Sequence, residues 1–249
     1  MSIFKKLFGK SVKESATPEI KEAGFSPSNK TDFTNFTDLV NQNAALSFEK
    51  QQNLSELTGT SSWNIDLNAG ILSFGDIELP IEVIGSLSFN DYSWMWGWAN
   101  SKSGIPENLL DGSLTLKEIG KKKQIQEFTK GHFNVEEGFE HKIGLVASGM
   151  LNADAYFCAN YGQGTMVLTI TSDKIARIDK NRPEKVLTTF PQVISAIELD
   201  HKEAFKSYLI DRDFGLNISQ NTIKGAINGK LVVAEFDNLN RLTSINGKI

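Results

Sequence analysis

Tyr92-Ser93-Trp94-Met95-Trp96-Gly97-Trp98-Ala99-Asn100 sets four aromatic rings at alternate positions of the chain. Side chains in a strand alternate between faces, so Tyr92, Trp94, Trp96 and Trp98 are expected to share one. Ser93, Met95, Gly97 and Ala99 fall on the other, where Gly97 and Ala99 would admit a close neighbour. Gly144, Ala147 and Ser148, at helical spacing, are the candidate for that neighbour. A helix would scatter the rings around its circumference, so the stretch reads as a strand. Each indole can cover roughly 200 Å² and carries an N–H that needs an acceptor once buried. The row either anchors a core or lines a pocket, with Asn100 ending the strand or orienting a ligand.

Upstream, residues 39–57 read as a helix stopped by Gly59. Short alternating runs follow at 63–67, 71–74, 77–79, 81–84 and 87–89. Pro80 interrupts them and suggests an edge or a bulge. Downstream, 117–130 and 135–151 are predicted helices, the second with Asn134 as its N-cap. A hairpin over 153–160 and 165–171 comes next. Helices follow at 183–199, where Pro191 threatens a kink, and at 201–211. Strands at 216–219, 222–227, 231–236 and 242–245 close the chain, and Asn228-Gly229 is a strong hairpin signal. The fold class is α+β: antiparallel sheet meanders with helices packed on one side. The domain spans 36–249, and its two helix-then-meander ends leave a division into two halves open.

Composition narrows the function classes. Hydrophobic residues make up 40 % of the chain and charged residues 22 %, as in ordinary globular proteins. A net charge of −4 gives no general basis for nucleic-acid binding. Cys158 is the single cysteine, which excludes an intrachain disulfide and suits a reducing, cytoplasmic compartment. No apolar run reaches the roughly 18 residues of a membrane span, and no signal peptide is expected. Residues 1–35 read as a disordered leader and linker. They hold six lysines against four acids, so their net charge is +2 and the remainder carries −6. Within them, Ile3, Phe4, Leu7 and Phe8 alternate with Lys5, Lys6 and Lys10. That pattern allows at most weak peripheral membrane contact through residues 1–10.

The tract Ser93-Trp-Met-Trp-Gly-Trp-Ala-Asn100 resembles the W-x-W-x-W-A-N marker of a bacterial family of unknown function. The resemblance extends over roughly residues 40–245. It implies a bacterial cytosolic protein and carries over no catalytic residue. Phe236-Asp237-Asn-Leu-Asn240-Arg241-Leu242-Thr243 is similar to one copy of the F/Y-D-x-x-G-R-L-T hairpin of large bacterial repeat toxins. Asn240 stands in place of its glycine, and both residue types tolerate positive φ. One copy makes no repeat array, so the run reads as an ordinary hairpin.

Two functional readings remain. In the first the chain is a non-catalytic binding or interaction protein for an unknown protein or small molecule. Its surface would comprise Tyr92, Trp94, Trp96, Trp98 and Asn100. In the second it is a hydrolase-type enzyme whose His/carboxylate site is assembled in space from Asp154, Glu137, His141 and Cys158. Glu137 and His141 share a helix face at i,i+4, a Glu-x-x-x-His spacing, whereas carboxylate di-metal bundles use Glu-x-x-His on two separate helices. Lys117, Lys121, Lys122, Lys123 and Lys130 form a basic cluster of the kind found on solvated helix faces. No phosphate loop, dinucleotide fingerprint, nucleophile elbow or zinc-ligand spacing occurs. No cofactor and no metal are expected.

Overall fold

Asn35 starts the first helix: its side-chain oxygen accepts the N–H of Asp38 at 2.9 Å. Helix α1 (Phe36–Thr58) ends where Gly59, at φ +56°, returns its N–H to the Ser55 carbonyl. The computed structural model describes residues 24–248. Strands β1 (Trp63–Asp66), β2 (Ile71–Phe74), β3 (Ile77–Ser88) and β4 (Ser93–Trp96) form the meander. Helices α2 (Asp111–Lys123) and α3 (Gln126–Thr129) lead to the short β5 (His132–Asn134) and to α4 (Phe139–Met150). The hairpin β6 (Ala155–Asn160) and β7 (Gly164–Ile170) precedes α5 (Glu184–Ala196) and α6 (His201–Asp211). Strands β8 (Gly215–Ile218), β9 (Thr222–Ile227), β10 (Lys230–Phe236) and β11 (Leu242–Lys248) complete the described chain.

The first sheet runs β1-β2-β3-β4-β5, and β7 joins the other flank of β3 with β6 outside it. The second runs β11-β10-β9-β8, and all the strand pairs are antiparallel. Helix α4 packs on β3, β6 and β7, α5 on β11, and α6 on β8 and β9, with α1 between α4 and α6. Each sheet therefore turns one face to a shared helical layer, and the α+β class with antiparallel sheets stands. One core cluster joins Ala44, Leu145 and Tyr156 to Phe205, Ile223 and Val232, so the two helix-then-meander ends share a core.

Pro80 breaks nothing. Ile81 N–H donates to Gly70 O on the β2 side, so the nitrogen of Pro80 faces the opposite flank. There β7 begins pairing only at Ile81, and β3 runs through as one strand of 12 residues. A bulge between Val83 and Gly85 then switches the faces. Val83 and its partner Leu168 belong to one core cluster, while Val167, the partner of Gly85, belongs to another. Pro191 is carried inside α5.

Several expected boundaries move. The helix foreseen over 117–130 is split into α2 and α3 by Gln124, at φ +59°. Asn134 belongs to β5, and α4 starts at Phe139 with Gly138 as its cap. Gly97 meets Leu110 and the Val83 carbonyl, whereas Gly144 is covered by the Tyr156 ring, so the expected pairing of these small residues does not form. Asn228-Gly229 makes the β9–β10 turn with both residues at positive φ, and Asn240 takes φ +59° before β11. Residues 24–35 lie on the body rather than in a separate linker: Ser26 bridges to Leu216, Lys30 pairs with Asp211 and Asp32 with Lys123. The amphipathic stretch 1–10 lies outside the described residues.

Candidate functional site

The tryptophan row divides. Strand β4 ends at Trp96, and Gly97–Ala99 form a 3-10 turn, so Trp98 leaves the strand before its ring is placed. Trp94 and Trp96 are fully buried and meet edge to face, ring centroids 5.6 Å apart. Phe139 packs on Trp94 and Phe128 on Trp96. The Trp96 indole N–H donates to Glu127 O at 2.8 Å. Among the described residues the indole N–H groups of Trp94 and Trp98 have no acceptor. Trp98 is half-buried and lies under the ammonium of Lys117, 3.7 Å from the ring centroid. Tyr92 stands in the turn at φ +48° and is exposed. Asn100 closes the 3-10 turn through its N–H to Gly97 O, and its carbonyl accepts the Ser103 hydroxyl. The five residues do not form one face. Neither the cavity of about 310 Å³ floored by Phe36, Phe133 and Phe139 nor any other described cavity is lined by a tryptophan. The expected aromatic surface is corrected: its centre is core, because two indoles in one strand are covered by Phe128 and Phe139 from α3 and α4.

The enzyme candidates also divide. Glu137 and His141 line a cavity of about 420 Å³ beside Tyr156. His141 Nδ1 lies 3.3 Å from the Tyr156 hydroxyl and 3.8 Å from Cys158 Sγ. Glu140 Oε1 stands 4.0 Å from His141 Nε2. Asp154 is elsewhere, accepting the N–H of Ser172 at 2.8 Å. Burial, reinforced by the Glu140 charge, pushes the Cys158 thiol up to about 12, and burial raises the Tyr156 hydroxyl in the same way. A nucleophilic cysteine needs a thiolate, so this thiol has a histidine for a neighbour but stays protonated at neutral pH. Native Cys158 is expected to react with iodoacetamide at pH 8 on the order of a thousandfold more slowly than in the unfolded chain, whose thiol titrates near 8.5. Equal rates in native and denatured protein would contradict this environment.

Asp154 instead belongs to the largest described cleft, about 590 Å³ in volume. Its first wall is α1: Asn43, Leu46 and Lys50 recur at helical spacing and face inward. The turn after α4 gives Asn152 and Asp154, the loop after β7 gives Arg177 and Lys180, and α6 ends on Asp211. Lys30 of the N-terminal strap closes the rim. Four cations thus face two carboxylates. Lys30 is paired, 2.7 Å from Asp211 Oδ2, and Lys180 reaches outward to Asp213 at 2.6 Å.

Lys50 differs from both. It is only 9 % exposed, and its ammonium donates to Ala153 O at 2.6 Å. Among the described residues no carboxylate stands within 4.0 Å of it. Burial lowers its pKa, and the charges of Asp154 and Asp211 oppose that shift. Burial raises the carboxyl of Asp211, partly offset by Lys30.

A second buried network holds the cleft open from behind. Arg212 Nη1 lies 2.6 Å from Glu49 Oε1, and the Tyr208 hydroxyl donates to Glu49 Oε2 at 2.6 Å. Glu49 and Arg212 are the chain neighbours of Lys50 and Asp211. Arg212 Nη2 also donates to the carbonyls of Asp179 and Arg182, at 2.7 and 2.9 Å. Asn53 fixes the same loop through Ala176 O at 2.7 Å. The wall that carries Arg177 and Lys180 is thereby tied to α1 and α6.

A family model described as "Family of unknown function (DUF6882)" matches residues 37–173, more than half of the chain. The chain belongs to this family. The DUF6882 match contains the tryptophan tract, Lys50 and Asp154; Arg177, Lys180 and Asp211 lie beyond its end, short of the span to 245 that the resemblance suggested. No curated protein and no solved structure matches the chain. No helix among the described residues is long and apolar enough to cross a membrane.

Lys50 carried a signal in the sequence. It sits four residues after Leu46 and four before Leu54, on the apolar stripe of α1, where a solvated lysine does not belong. Lys30, Arg177, Lys180 and Asp211 come from separated segments and show no spacing that predicts their meeting.

Proposed function

We propose that this chain is a non-catalytic binding protein whose ligand is a small anion held in the Lys50 cleft. One observation carries the reading: Lys50 lines a roomy cleft, and among the described residues its buried ammonium has a single carbonyl partner and no carboxylate at ion-pair distance. A buried charge without a counter-ion is costly, and an anionic ligand would supply one. Arg177 and Lys180 add positive charge at the mouth, and the tied loop keeps the cleft formed in advance of binding. The His141–Cys158 contact is the observation in favour of the hydrolase alternative, and the protonated thiol weighs against it. The tryptophan marker and the lone cysteine support a bacterial, cytoplasmic setting.

Thermal unfolding in increasing inorganic phosphate and citrate tests the reading, with sodium chloride at matched ionic strength as control. Wild type is expected to gain stability by RT ln(1 + [L]/Kd), about 2.7 kcal/mol at a hundredfold excess over Kd. Lys50→Met should lose the gain. A gain of equal size in both proteins, or one reproduced by sodium chloride, would contradict the assignment.

A further inference from the structure

We infer that Lys50 is the covalent attachment point for the ligand, which is an anionic aldehyde held as a reversible imine. This rests on the anion-binding reading of the same cleft and adds the reacting group. Lys50 lines the cavity, and its ammonium is fixed by Ala153 O at 2.6 Å, so the nitrogen has a defined position rather than riding on a free stem. Asp154 and Asp211 line the same cavity, and both act on the Lys50 charge. Arg177 lines the cavity too, pairs with no carboxylate among the described residues, and would hold the anionic part of the molecule.

The chemistry balances without an oxidant or reductant. Lys50 first gives up one proton to water, and burial favours the neutral amine there. The nitrogen lone pair forms a bond to the carbonyl carbon while the C=O electron pair moves to oxygen. That oxygen takes one proton and the nitrogen loses one, giving a neutral carbinolamine. Protonation of its hydroxyl lets water leave, and the nitrogen lone pair closes the C=N bond. The resulting iminium keeps one N–H for Ala153 O and its positive charge for Asp154 and Asp211. The proton that Lys50 gave to water at the start returns from water for the loss of the hydroxyl, so ammonium plus aldehyde gives iminium plus water.

Pyridoxal 5′-phosphate serves as the aldehyde probe and pyridoxine 5′-phosphate, the alcohol, as its non-reacting counterpart. Folded protein is incubated with each at pH 7, treated with borohydride and digested, and the modified lysine is located by mass spectrometry. The expected result is modification at Lys50 ahead of every other lysine, because burial there favours the neutral amine that reacts. Inorganic phosphate should slow it in wild type, which tests the site without any substitution. Lys50→Arg should keep binding of pyridoxine 5′-phosphate, read by calorimetry, and lose the labelling. If wild type binds the alcohol but the aldehyde labels other lysines equally, the imine is refuted and the anion site stands. If neither compound binds, both fall.

Discussion

Trp96→Ala is expected to lower the stability of the chain by about 3–5 kcal/mol, the usual cost of removing a large aromatic side chain from a core. Trp96 has no exposed surface, stacks against Trp98 at 6.4 Å between ring centroids, and meets Trp94 and Phe128 edge to face. The substitution also leaves Glu127 O without the indole donor. Chemical denaturation of wild type and variant measures the loss. Gly85 across the ladder offers no relief, since it lies under the Trp94 ring and a side chain there would collide with it. Loss below about 1 kcal/mol would mean that the row is a surface after all, contrary to its burial.

Glu49→Ala is expected to cost about 3–5 kcal/mol, because it leaves Arg212 charged and buried with no carboxylate. Arg212 has no exposure in the structure and Glu49 only 3 %. The double variant Glu49→Leu/Arg212→Met should be more stable than Glu49→Ala, since removing both charges also removes the desolvation penalty. Recovery should stay incomplete: Arg212 also donates to Asp179 O and Arg182 O, and methionine cannot replace those bonds. Urea unfolding of wild type and both variants separates the two effects. A double variant no more stable than Glu49→Ala would show that Glu49 and Arg212 act independently.

The sheets were legible in the sequence where period and turn chemistry agreed. Asn228-Gly229 marked the β9–β10 hairpin, and helix α6 spans the residues read for it, 201–211. The tryptophan strand was recognised by its alternation, but alternation carries no information on where pairing stops. The 3-10 turn at Gly97–Ala99 takes Trp98 out of the strand, beneath Lys117. Burial of the row depended on Phe128 and Phe139, 30 to 45 residues away, and no local pattern reports that contact. The cleft was hidden for the same reason. Its cations come from the N-terminal strap, α1 and the loop after β7, so only tertiary packing gathers them. Lys50 on the apolar stripe of α1 was the one visible trace, and it reads equally well as a lysine whose stem covers apolar surface.

The central claim is that the Lys50 cleft takes an anion, and an NMR titration of isotope-labelled protein with inorganic phosphate tests it most directly. The account predicts saturable shifts in the resonances of Lys50, Asp154 and the 176–180 loop, absent from Lys50→Met. Shifts confined to exposed lysines such as Lys121, or unchanged in the variant, would contradict it.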